Sequence, residues 1–127
     1  MPALIDLETL KRSAIASYLF EGADHGGVGL SFFLVDQPPG GGPSLHVHEY
    51  DEVFFIQDGE ATFNVGAETL VAHANQVVIA PGGQPHKFSN SGSDRLRLIS
   101  LQPSPRAITE WLTEPYDTSH GAEAIDV

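Results

Sequence analysis

The sequence predicts an all-β fold, a small closed barrel or a two-sheet sandwich, and three observations lead there. Its apolar runs are short, roughly five to nine residues each, and rich in Val, Ile, Phe and Leu. Thirteen Gly and nine Pro punctuate those runs with turn signals. The length, 127 residues, suits a single domain. Many short antiparallel strands in one small domain would leave unpaired edges unless the sheet closes or two sheets stack.

Taken in order, residues 4–13 (LIDLETLKRS) suit a short helix or an extended arm equally well. Strands are expected at 28–36, 44–48, 51–57, 60–65, 68–72, 76–80, 86–89 and 95–101. Asp58-Gly59 between two alternating runs is a strong hairpin signal. Further turns fall at 65–67, 81–83 and 90–92, and the Pro- and Gly-rich stretch 38–43 is a loop. Apolar residues at 108, 111 and 112 suit a short C-terminal helix over 106–114, docked by Trp111. From Tyr116 the composition predicts a frayed end. The chain thus divides into an N-terminal arm (1–27), a β-barrel (28–102) and a C-terminal segment (103–127).

Composition excludes several functions. Hydrophobic residues make up 41% and charged residues 18%, enough for a packed core. Seventeen Asp and Glu against six Lys and Arg give a formal charge of −11, which argues against nucleic acid and anionic membrane as partners. No Cys is present, so disulfides, thiolate metal sites and thiol nucleophiles are out. No apolar run is long enough to span a membrane. The basic pair Lys11-Arg12 follows the first apolar residues instead of preceding a long apolar core, unlike a signal peptide. A cytoplasmic protein is the expectation.

The chemistry is concentrated in histidines. His46 and His48, at i and i+2 in a strand, share one face. A tight bend at Glu49-Tyr50 would bring Glu52 opposite His48, and His86 opens another strand. Three imidazoles and a carboxylate converging inside a barrel would hold a divalent transition metal: Fe, Mn, Ni, Zn or Co. A solvated polar strand face would give the same His46–His48 spacing, and Glu52 or His86 alone could be an ordinary surface carboxylate or turn residue. His25, His73 and His120 sit in loop-like or tail-like stretches and are expected at the surface.

Taken together, these residues resemble the cupin superfamily. Its first motif, G-x5-H-x-H-x3,4-E-x6-G, is matched by Gly40, His46, His48, Glu52 and Gly59. Its second, G-x5-P-x-G-x2-H-x3-N, is matched by Pro81, Gly83, His86 and Asn90, with Asn75 replacing the leading Gly. The resemblance spans residues 40–90. It implies a conical jelly-roll barrel in which His46, His48, Glu52 and His86 bind one divalent ion. Asn75 is a turn position, and Asn is the residue most tolerant of positive φ after Gly. Asn90 is expected to tie a turn through its side chain.

If Glu52 faces inward, alternation sends Phe54 and Ile56 inward too, and Phe88 follows His86. Phe54 and Phe88 would then line a substrate pocket or simply pack the barrel. Gln84 offers an amide near the metal or a solvated loop side chain. Arg95 and Arg97 share a strand face; inward they would hold a substrate carboxylate, and the outward reading is favoured.

Two functions compete. One is a metal-dependent enzyme, dioxygenase-like, isomerase-like or hydrolytic, acting on a small organic molecule, with Glu52 as ligand and general base. The other is a binding or sensing module without turnover; a purely structural metal is a third reading. A single cupin barrel of this size resembles family members that form homodimers, which makes a homodimer the expectation. Apolar runs such as 53–56 and 30–35, with residues on both strand faces, also call for a second subunit or an arm as cover.

Overall fold

A computed structural model describes residues 2–13 and 16–112. The expected frayed end from Tyr116, and His120 with it, lies outside the described residues. Ten strands form among them: β1 (Ala16–Glu21), β2 (Ser31–Gln37), β3 (His46–Val47), β4 (Glu52–Asp58), β5 (Glu60–Val65), β6 (Glu68–His73), β7 (Val77–Ala80), β8 (His86–Asn90), β9 (Leu96–Gln102) and β10 (Glu110–Trp111). They make two five-stranded sheets, ordered β1-β2-β9-β4-β7 and β10-β3-β8-β5-β6. All pairings are antiparallel, which is the jelly-roll arrangement.

Alternation puts one face of each strand into the space between the sheets. Along β2 and β8 every second residue is buried, and β9 follows the same period. The enclosed space is graded. Its closed end is apolar, filled by Phe54, Ile56, Phe63, Phe88, Leu96 and Leu98. Phe54 sits 4.9 Å from Phe63 and 5.7 Å from Phe88 between ring centroids. At the other end the same strand faces turn polar, with Glu52 on β4, His86 on β8, and Ser100 and Gln102 on β9 all buried.

Turn chemistry fixes the registers. Gly59 adopts φ +91, and a Cβ there would lie 2.6 Å from the Arg95 carbonyl oxygen, so the β4–β5 hairpin needs glycine. Asn75, the departure from the second motif, adopts φ +68 and is the non-glycine residue with positive φ among the described residues. Asn90 donates through Nδ2 to the carbonyls of Gln37 (3.0 Å) and Asp94 (2.7 Å) and accepts from the Gly92 amide. It ties the 90–94 turn to the end of β2.

One expectation about the ends needs correction. The C-terminal helix over 106–114 does not form through residue 112. After Gln102 the chain runs as an irregular strap and ends in β10, where Trp111 pairs with His46. Pro103 and Pro105 disfavour helix there, residues 103–106 bend, and Ile108, expected on an apolar helix face, is 63% exposed. At the other end, the 1–27 segment expected as an arm contains β1, which pairs along β2 from Ala16↔Val35 to Glu21↔Ser31. Only the residues before it are arm-like, with a 3-10 turn at Leu7–Thr9 and an isolated bridge from Lys11 to Leu19.

The outer face of the first sheet is apolar. The register aligns Phe20, Phe32, Leu101, Val53 and Ile79 in one row across the five strands. Tyr18, Leu34, Ile99, Phe55 and Val77 form the next. Phe55, Val77 and Ile79 are exposed. Beyond these rows, Arg95 and Arg97 point outward, as favoured, and pair with Asp36 (2.5 Å) and Asp58 (3.2 Å). No helix among the described residues is long and apolar enough to cross a membrane.

Candidate metal centre

The polar end of the barrel gathers the four side chains singled out by their spacing. His46 and His48 come from β3 and the turn after it, Glu52 from the start of β4 and His86 from the start of β8. His46 and His86 face each other across the β3–β8 pair. One ligand atom from each of the four lies within 4.8 Å of the others, and all four residues are buried.

Their hydrogen bonds fix how they present themselves. His46 Nδ1 lies 2.7 Å from the Ser44 carbonyl, His48 Nδ1 2.6 Å from the Ile108 carbonyl and His86 Nδ1 3.0 Å from the Gln84 carbonyl. A carbonyl oxygen only accepts, so each Nδ1 carries the proton and each Nε2 presents its lone pair. Glu52 Oε1 stands 3.0 Å from His48 Nε2 and 2.9 Å from His86 Nε2. His48 Nε2 is buried and makes no hydrogen bond. Lone pairs and an anionic oxygen converging in a buried site call for a cation among them, either protons on the imidazoles or a metal.

The electrostatics of Glu52 and His46 suit a ligand role. Burial would raise the Glu52 carboxyl, but contacts with His48 and His86 outweigh it and hold it well below the usual carboxylate range. Burial, reinforced by nearby His86, pushes His46 down to about 4, so it stays neutral near pH 7. For His48 burial acts downward, yet the Glu52 carboxylate prevails and the net shift is upward. Three imidazole nitrogens, once free of protons, and one carboxylate oxygen fit a divalent transition metal and would leave coordination positions open on a six-coordinate ion. The donor set admits several ions.

A cavity of about 20 Å³ abuts these ligands, room for one water-sized group. Its walls include Phe33, Val35, Phe88 and Trp111, with Ser100, Gln102 and Thr109 as polar neighbours of Glu52 and His48. Phe88 therefore lines the cavity, whereas Phe54 lies beneath it in the core, 6.1 Å from the His86 ring. Gln84 lies elsewhere. Its side chain is exposed on the outer surface, and its backbone carbonyl is what reaches His86. His73 is exposed and contacts Glu60 at 3.1 Å, and His25 stacks on Phe20.

Sequence reasoning missed the shell around the ligands. Ser100 Oγ donates to Glu52 Oε2, and Gln102 Nε2 donates to the same oxygen at 3.3 Å. Tyr50 Oη donates to Gln102 Oε1 at 2.5 Å, accepts from the Ile108 amide at 2.8 Å, and its ring stacks on His48. Trp111 covers His46 with ring centroids 4.9 Å apart. A signal for Ser100 and Gln102 was present: polar residues continue the inward alternation begun by Leu96 and Leu98. Nothing in the sequence pointed to Tyr50 or to the Ile108 backbone.

With this architecture and ligand set, the chain is a small jelly-roll metal-site protein. It belongs to the cupin family: the Cupin domain profile matches residues 33–102. An uncharacterised protein of Streptomyces coelicolor is 38% identical over 56 residues, 44% of this chain and 53% of the relative. The polyketide synthase CurC of Streptomyces cyaneus is 30% identical over 89 residues, 66% of this chain and 55% of the relative. The chain thus spans about half the length of the curated relatives it matches. Among solved structures it is similar to Bacillus subtilis oxalate decarboxylase, an enzyme with Mn(II) centres, with TM-score 0.70 and 22% identity. That match covers 75% of this chain and 27% of the other, so the likeness is one of fold.

Proposed function

We propose that this cupin is a metal-dependent enzyme acting on a small organic molecule at the polar end of the barrel, by oxygenase-like or Lewis-acid chemistry. The supporting observation is the buried convergence of three Nε2 lone pairs and Glu52 Oε1 beside a cavity with apolar walls. A divalent ion held there would polarise a substrate oxygen and activate bound water. Glu52 is the carboxylate of the site: a ligand through Oε1, and a general base in a state where Oε1 has detached from the ion. Ser100 and Gln102 occupy Oε2, so a substrate proton would then be taken at the released Oε1. Phe33, Phe88 and Trp111 supply the apolar wall, and Trp111 with the strap restricts water. The resemblance to a polyketide synthase component favours an enolisable keto compound as the substrate class.

The second reading is a binding or sensing module without turnover, and the small cavity supports it, since a substrate must displace the strap to enter. Elemental analysis of purified protein beside His48→Ala tests the common premise. A near-stoichiometric transition metal that falls sharply in the variant is expected, and no metal in either protein after reloading would overturn it. Oxygen uptake or product formation with candidate diketones and enols then separates enzyme from binder.

The same reading includes a homodimer in the cytoplasm. Two uncharged rows of five residues across the first sheet support self-association, because they keep the strongly acidic surface of each copy out of the contact.

A further inference from the structure

The two oxygens of Glu52 have different surroundings. Oε1 faces His48 Nε2 and His86 Nε2 at 3.0 and 2.9 Å. Oε2 points the other way, into β9, where Ser100 Oγ and Gln102 Nε2 both donate to it. A carboxylate oxygen offers two lone pairs, and two donors fill both. All three residues are buried, so water does not compete for these bonds. The Gln102 amide is oriented in turn. Tyr50 Oη–H donates to its Oε1, which leaves Nε2 facing the carboxylate, and the Ile108 N–H fills the other side of the phenol. Tyr50 thus acts on Oε2 through Gln102, and Ser100 reaches the same oxygen directly.

We propose that Ser100, Gln102 and Tyr50 are positioning residues that sheath Glu52 Oε2 and restrict the carboxylate to one-oxygen ligation, keeping a coordination position open for substrate. The inference rests on the metal-binding reading above. Without the sheath, a buried carboxylate with a bare Oε2 would be free to offer both oxygens to a bound ion, at the expense of that position. The sheath therefore sets how many positions a substrate can use, while the ligands set only whether an ion binds.

Water-proton relaxation of the Mn(II)-loaded protein counts exchangeable water on the ion. The comparison is wild type, Ser100→Ala/Gln102→Leu and Ser100→Thr, each with Mn(II) stoichiometry fixed by equilibrium dialysis. The double variant should bind Mn(II) with its inner-sphere relaxivity roughly halved, as two open positions become one. Ser100→Thr keeps the hydroxyl and should match wild type, which a packing role for Ser100 would not predict. Should the double variant fail to fold, Tyr50→Phe, which releases only the Gln102 amide, should give a value between the two. Unchanged relaxivity in a stoichiometrically loaded double variant, or in Tyr50→Phe when it stands in, overturns the sheath and leaves the metal site intact. Failure of wild type to bind Mn(II) or Co(II) overturns the metal-binding reading, and the sheath with it.

Discussion

At the scale of single residues, backbone geometry and core volume give separable predictions. Asn75 holds φ +68 at a position where the second motif carries glycine. Asn75→Gly should leave stability nearly unchanged, and Asn75→Ala should cost about 1 kcal/mol, because a Cβ without a compensating side-chain bond is strained there. Urea denaturation of the two variants checks this. Phe54 is 1% exposed and touches Phe63 and Phe88 beneath the ligands. Phe54→Ala should cost about 3–5 kcal/mol in the same assay, from lost transfer energy and the cavity left behind. It should weaken metal binding less than His48→Ala does, because Phe54 supports His86 only edge-on at 6.1 Å.

At the scale of elements, the strap after β9 is held by β1. Glu21, at the end of β1, accepts from the Ala107 amide at 2.9 Å and pairs with Lys11 at 2.7 Å and Arg106 at 3.4 Å. Asp24 joins the group through Lys11 and Arg106. Burial acts to raise the Glu21 carboxyl, but Lys11, the Ala107 amide and Arg106 outweigh it and lower it. A carboxylate lowered on folding adds stability above its unfolded value, near 4.5, and that stability is lost as pH falls through the folded value. Thermal denaturation between pH 7 and 3 should therefore show a loss that Glu21→Gln flattens. At pH 7 the variant should cost about 1 kcal/mol, since Lys11 and Arg106 are half in water. The elements also show what the sequence made legible. From Glu52 to Gln102 short runs are closed off by turns carrying Gly, Asn and Pro, so strand positions could be assigned, and the motif spacing pinned their inward faces. The four ligands followed from the same alternation plus motif spacing. β1 escaped because Tyr18, Leu19 and Phe20 are apolar on both faces, which erases the period. The strap imitated a helix because 108, 111 and 112 fit a helical period, while its real partners, a carbonyl and an amide of Ile108, carry no side-chain signature.

At the scale of the whole molecule, the ligands draw on β3, β4 and β8, which belong to different sheets. A bound ion therefore cross-links the two layers, and metal saturation should stabilise the fold by mass action. Mn(II) at one hundred times its dissociation constant should add about 2.7 kcal/mol, read as a rise in Tm that EDTA reverses and His86→Ala abolishes. The apolar rows on the first sheet make a face roughly 20 Å wide, from five strands at about 4.8 Å spacing. Ile79→Glu and Phe55→Glu each place a charge in one row, on the exposed β4–β7 side of the face. Light scattering at micromolar concentration should report a dimer for wild type and a monomer for either variant. A monomeric wild type would leave those rows to another cover.

The Ile108 peptide spends its carbonyl on His48 and its amide on Tyr50, while its side chain reaches solvent. What this stretch must conserve is spacing and not chemistry. In a saturation library almost any side chain except proline should be accepted at 108. Removing or inserting one residue between Pro105 and Glu110 should displace both bonds and abolish metal retention. The strap thus behaves as a ruler, whose accuracy depends on the number of links and hardly at all on what the links are made of.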